Sequence, residues 1–172
     1  MKQFFCDVIF VIMLLVTPAQ AWAFQNEPNG FRDLYWGESL AEIQEKRTAG
    51  YLMYRKGTNS VSYVVRLNAD ESQTLSGIPI LMGGIMVSLW NNQLWEIQLY
   101  FDGEDSFNSL KNAMVLLYGY PTNSNENTCA WIGDKAMLAL DKLDGRKKGS
   151  RVSMSSTEVF MNIMDEAAKQ GW

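Results

Sequence analysis

The chain of 172 residues contains no histidine. That removes the usual general base near neutral pH, the Ser-His-Asp and Cys-His arrangements, and histidine-ligated zinc, copper or non-haem iron. No serine is followed three residues later by a lysine. Carboxylates are the groups that could still do chemistry. Asp102, Glu104 and Asp105 lie close together, and paired carboxylates can hydrolyse glycosides without histidine. All three fall between a strand end and a helix start, where acidic groups meet the positive end of the helix dipole, and capping is the simpler role. Asp141 and Asp144 read as strand-end and turn residues, and no stretch fits an EF-hand loop. Gly83-Gly84 has neither the lysine nor the spacing of a phosphate loop; inside a strand pattern it predicts a bulge or close packing. Arg146, Lys147, Lys148 and Arg151 predict a solvated hairpin tip in preference to a patch for an acidic partner. The expectation is a protein with no catalytic residues, no metal ligands and no cofactor, and so not an enzyme, with a carboxylate-only hydrolase as the alternative left open.

The elements that would have to position any site begin after residue 23. Lys2 precedes an apolar core of nine residues, Val8 to Val16, then Pro18 and the triplet Ala21-Trp22-Ala23. That is the pattern of a secretory signal peptide cleaved after Ala23, too short for the ~20 apolar residues of a membrane-spanning helix. Residues 1–23 are therefore read as signal peptide and 24–172 as one α+β domain, periplasmic or secreted, with no membrane span. Cys6 leaves with the signal, and Cys129 alone cannot form an internal disulfide. The net charge of −4 and a pI near 4.9 argue against nucleic acid as a partner.

Three helices are read from their caps. Ser39-x-x-Glu42 and Ser155-x-x-Glu158 match the capping box, and a middle helix runs from about Asp105, with Phe107, Leu110, Met114 and Leu117 on one stripe, to Gly119 and Pro121. Between the helices the apolar period falls to two, as in Val61, Tyr63, Val65, Leu67 and Trp95, Ile97, Leu99, Phe101. This predicts an antiparallel sheet: two strands between Tyr51 and Leu67, a polar loop over 68–77, a hairpin from about Ile80 to Phe101, and two or three strands between Cys129 and Met154. Ser39-Leu40 and Ser109-Leu110 each open a predicted helix ahead of strands, which points to a degenerate helix-plus-strands duplication.

Within the hairpin, a three-residue loop Asn91-Asn92-Gln93 would set Leu89 against Trp95, Val87 against Ile97 and Ile85 against Leu99, all apolar. The other face then carries Met86, Trp90, Leu94 and Tyr100 among Ser88, Glu96 and Gln98, a mixture suited to a partner surface. The stretch "FRDLYWG", Phe31 to Gly37, is read as an anchor packed under the first helix; Arg32 and Tyr35 are a second candidate, an exposed aromatic platform.

Phe31-Arg32-x-x-x-Trp36-Gly37, followed by a capped helix, and Tyr118-Gly119-x-Pro121-Thr122 with Trp131 further on, resemble the landmarks of a group of small, mostly uncharacterised secreted bacterial proteins. Asp33 stands where that group often has glycine. The resemblance implies a secreted module and no particular reaction. With the absent catalytic groups, the expected function is a non-catalytic binding or envelope-associated module whose partner is another envelope or secreted protein. A secreted protein inhibitor and a carrier of a small apolar ligand are the alternatives.

Overall fold

The computed structural model describes residues 24–54, 59–81, 84–144 and 148–169. The signal-peptide reading of residues 1–23, Gly83 of the bulge reading, and Arg146 and Lys147 of the hairpin-tip reading lie outside the described residues. The fold is α+β. In chain order the elements are β1 (Gly30–Phe31), β2 (Leu34–Tyr35), α1 (Leu40–Lys46), β3 (Ala49–Tyr54), β4 (Ser60–Arg66), β5 (Thr74–Leu75), β6 (Ile78–Pro79), β7 (Gly84–Trp90), β8 (Gln93–Asp102), α2 (Ser106–Tyr118), β9 (Asn123–Ser124), β10 (Thr128–Ile132), β11 (Ala136–Leu143), β12 (Gly149–Ser156) and α3 (Thr157–Lys169).

Eight strands form one antiparallel sheet in the order β3-β4-β7-β8-β12-β11-β10-β9. A helix followed by four strands, α1-β3-β4-β7-β8, is repeated as α2-β9-β10-β11-β12, and the two runs meet at the central β8–β12 pair. The duplication therefore exists as topology. The shared dipeptide is not its trace: Ser39 caps α1, whereas Ser109 lies inside α2, whose N-cap is Asp105.

Strand alternation sends one set of side chains to an inner face. Ile85, Val87, Ile97, Leu99, Phe101, Leu138, Leu140, Val152 and Met154 are buried there, in one contiguous core with Ile43 of α1 and Phe107, Leu110 and Met114 of α2. Each such side chain contributes roughly 1.5–3 kcal/mol by leaving water. Leu117, the fourth residue of the predicted stripe, is 48% exposed, while its neighbour Tyr118 packs against the core. Val159 of α3 is buried outside that core cluster, and α3 touches β11 and β12.

At the helix ends, α1 has the predicted capping box, with the Ser39 hydroxyl and Glu42 carboxylate bonded reciprocally to backbone N–H groups. The third helix starts one residue later than expected. Ser155 stays in β12, and the Ser156 hydroxyl accepts from the Val159 N–H. The loop predicted over 68–77 ends in the first strand and turn of a small hairpin, β5–β6, turned by Ser76 and Gly77 at φ 51° and 80°. It packs Leu75 and Ile78 against the core. Gly84 follows the close-packing reading, since a Cβ there would stand 3.0 Å from the Val65 carbonyl oxygen.

The opening cluster packs against the core and is tied to the chain ahead of it and to β8. Leu34 is fully buried, the Trp36 indole donates to the Pro28 carbonyl at 3.1 Å, and the Gly37 N–H donates to the Leu94 carbonyl at 2.8 Å. Gly37 has φ 85°, a conformation that residues with a Cβ resist. The chain ahead of it is a strap: the Glu27 carboxylate accepts N–H groups of Asp134, Lys135 and Ala136 at the β10–β11 turn.

Cys129 is completely buried on the inner face, with its Sγ 3.3 Å from the Ser124 hydroxyl. Its thiol is expected to react slowly with a thiol reagent in the native protein and fast once the protein is denatured. Time courses with a chromogenic disulfide in buffer and in denaturant check this; rapid native reaction overturns it.

Candidate interaction surface

The hairpin that positions the outer face is built differently from the expected register. The turn has two residues, Asn91 and Asn92 at φ 50° and 62°, with Trp90 opposite Gln93. Two consecutive left-handed residues suit the tight turn whose twist matches the flanking strands, and asparagine adopts that conformation at little cost. The register then shifts between Ser88 and Leu89, and Trp95 is the residue left without a cross-strand partner. The bulge restores Val87 opposite Ile97 as expected, while Leu89 faces Leu94 in place of Trp95. Leu94 is consequently fully buried in the core and leaves the set of candidate surface residues. Met86, Trp90 and Tyr100 are half-buried, with Met86 paired to outer-face Gln98 and Tyr100 paired to Arg151.

Across the outer face the polar side chains are bonded to one another, between strands and along β8. Near the β7–β8 turn, the Ser62 and Ser88 hydroxyls lie 3.0 Å apart, and Ser88 donates to the Glu96 carboxylate at 3.2 Å. Further along β8, the Tyr100 hydroxyl donates to the Gln98 side-chain oxygen at 2.8 Å. Beyond the central pair, Arg151 donates to the Asp141 carboxylate at 2.7 Å, and the Thr128 hydroxyl donates to the other Asp141 oxygen at 3.2 Å. The Asp141 hydrogen bond raises the Arg151 pKa further above its ordinary value. Rotamers tied this way lose little further entropy on meeting a partner.

The second candidate pair is not assembled. Tyr35 is 48% exposed, with the Lys46 ammonium 5.1 Å from its ring centre. Arg32 is drawn away. At φ 60° it stacks over Phe31, donates to the Glu71 carboxylate at 2.8 Å, and reaches the Thr74 carbonyl. Its neighbour Asp33 takes a hydrogen bond from Arg47, whose side chain is 0% exposed and which also donates to both Glu71 oxygens, at 2.6 and 3.0 Å. Arg47 also donates to the Arg66 carbonyl, so this clasp joins the end of α1, the β1–β2 turn, the end of β4 and the loop after it. Sequence reading missed it, because its members are scattered over four segments with no local pattern.

The acidic trio does not converge. Asp102 accepts from the Gly103 N–H, Glu104 pairs with Lys148 at 2.8 Å, and Asp105 caps α2 without a side-chain hydrogen bond. Also missed was an exposed apolar group: Leu116 at the end of α2 and Tyr120 in the following loop are 83% and 87% exposed. Tyr120 is the variable residue of the Tyr-Gly-x-Pro-Thr stretch. Its neighbours are structural: Gly119 accepts the Trp131 indole N–H at 2.8 Å and Thr122 accepts the Ile132 N–H at 3.1 Å. An apolar cleft between α2, β5 and the inner face, lined by Phe31, Leu75, Leu110, Met114 and Tyr118 among others, has a volume of about 30 Å³. Among the described residues no helix is long and apolar enough to cross a membrane. Compared with protein-family models, curated proteins and solved structures, the chain matches none.

Proposed function

We propose that this protein is a non-catalytic binding module, exported to the periplasm or beyond the cell, that presents the outer face of its eight-stranded sheet to another envelope or secreted protein. The supporting observation is the construction of that face: Met86, Trp90 and Tyr100 stand half-buried among polar side chains already bonded to one another across and along the strands. Aromatic and methionine side chains on a rigid polar frame suit protein recognition. The absence of histidine, and the resemblance of the Phe31–Gly37 and Tyr118–Thr122 stretches to landmarks of small secreted bacterial proteins, favour the same reading. Inhibition of a secreted protein would be one use of such a face. A carrier of apolar ligands is less well supported, since the cleft of about 30 Å³ is small beside the ~300–1,000 Å³ of ordinary ligand pockets.

The test compares wild type with Trp90→Ala and Tyr100→Ala. Both substitutions are expected to leave the fold largely intact and to weaken retention of a partner captured from envelope extract of the producing cell. Leu94→Ala and Ile97→Ala should each cost about 2–5 kcal/mol of stability, because both side chains are fully buried. Equal capture by wild type and both surface variants, or unfolding of the surface variants as severe as that of the core ones, defeats the proposal.

A further inference from the structure

We infer that the free edge of β3 is a self-pairing surface, through which two copies of this chain join their sheets edge to edge. The inference begins with a contrast between the two ends of one pseudo-symmetric sheet. An edge strand leaves every second residue's N–H and C=O turned away from the sheet, and these groups need water or another strand.

At the β10 end they are closed. The Lys142 N–H donates to the Asn127 carbonyl, so Asn127, Cys129 and Trp131 face β11 while Thr128, Ala130 and Ile132 face outward. Thr128 gives its N–H to the Asn125 side chain and accepts the Asn125 N–H at its carbonyl. Ala130 pairs with Asn123 of the two-residue β9, and Ile132 donates to the Thr122 hydroxyl. A short final strand and side-chain caps are the devices that keep a sheet edge from pairing with another chain.

At the β3 end the same accounting stays open. The Arg66 N–H donates to the Thr48 carbonyl, so Thr48 and Gly50 face β4, and the main-chain groups of Ala49 and Tyr51 face outward. Among the described residues no cap is seen on them. The strand reads Ala-Gly-Tyr-Leu-Met-Tyr, with no charge and no proline to discourage pairing. The register shift between Tyr51 and Met53 bends its second half and confines regular pairing to Ala49–Tyr51.

A second copy fits this segment. With a two-fold axis at Gly50, Ala49 of one protomer opposes Tyr51 of its partner, and each pair exchanges both of its outward N–H and C=O groups. Gly50 then meets its own copy at the axis, in the closer-spaced kind of antiparallel pair, where a missing Cβ eases approach.

The closing experiment uses the protein as purified from its producing cell and measures mass by sedimentation equilibrium from micromolar to several hundred micromolar. A concentration-dependent monomer–dimer equilibrium is expected. Amide exchange should slow at Ala49 and Tyr51 as concentration rises, while the outward amides of β10 should not change. Two variants test the geometry. Gly50→Lys sets like charges against each other at the axis, and a Cβ there lies 3.9 Å from its nearest neighbour, the Val64 carbonyl. Ala49→Pro removes an outward N–H without touching the ladder to β4. Both should remain folded by circular dichroism and shift the equilibrium to monomer by at least tenfold in dissociation constant. A wild-type protein that stays monomeric throughout, or dimers that survive both substitutions, overturns the inference.

Discussion

Replacing Trp131 by alanine is expected to destabilise the protein by about 3–5 kcal/mol, in the range for deleting a large aromatic from a packed core. Trp131 is fully buried, and its indole N–H donates to the Gly119 carbonyl at 2.8 Å. That bond ties β10 to the sharp exit from α2, where Gly119 has φ 81° and donates its own N–H to Val115. The alanine variant therefore loses packing and also leaves a carbonyl without its donor. Trp131→Phe separates the two effects, since it keeps much of the volume and loses the hydrogen bond, whose net worth is about 1 kcal/mol. Denaturant titrations of the three proteins give the comparison. A loss below about 1 kcal/mol for Trp131→Ala would mean that β10 is not part of the cooperative core.

Arg47→Ala is the second large effect, about 3 kcal/mol. This is the low end for removing one partner of a buried ion pair, because Asp33 and Glu71 remain 41% and 23% exposed and keep part of their hydration. The guanidinium bonds Asp33, both Glu71 oxygens and the Arg66 carbonyl, so its removal loosens four segments at once. In a double-mutant cycle, Arg47→Ala with Glu71→Gln should cost less than the sum of the single changes. The clasp also predicts acid sensitivity. The hydrogen bond from Arg47, opposed by burial and joined by one from Arg32, holds the Glu71 carboxyl below its ordinary value of 4.5. A carboxylate whose folded pKa is depressed stabilises the protein above the unfolded value and loses that contribution as pH falls through the folded one. Stability should thus fall below about pH 4.5 more steeply in wild type than in Glu71→Gln. Parallel acid profiles for the two proteins would remove Glu71 from the account.

The outer face was only partly readable from the residue order. Met86, Trp90 and Tyr100 could be placed on it by alternation, since side chains in a strand change face at every residue. Leu94 could not, because a two-residue turn compensated by a bulge and a three-residue loop without one give the same Val87–Ile97 pairing and differ only near the turn. Arg32 and Tyr35 looked like neighbours in use because they are neighbours in sequence. The structure assigns Arg32 to Glu71, a residue that no spacing rule connects with it. Leu116 and Tyr120 were passed over because exposure is a property of what the rest of the chain leaves uncovered.

By itself, then, the sequence determined what depends on near neighbours and on composition. The capping box of α1, the strand period, the stop at Gly119, the buried face of β8 and the exclusion of histidine chemistry all follow from interactions a few residues long or from a residue that is absent. Tertiary structure alone decided the order of the eight strands, the meeting of the two halves at β8 and β12, the four-segment clasp around Arg47 and the capping of the outward groups of β10. The division has one physical reason. Local backbone hydrogen bonds and apolar periodicity act between residues adjacent in the chain, whereas strand neighbours, ion pairs and exposed edges arise between segments brought together only when the whole core is buried.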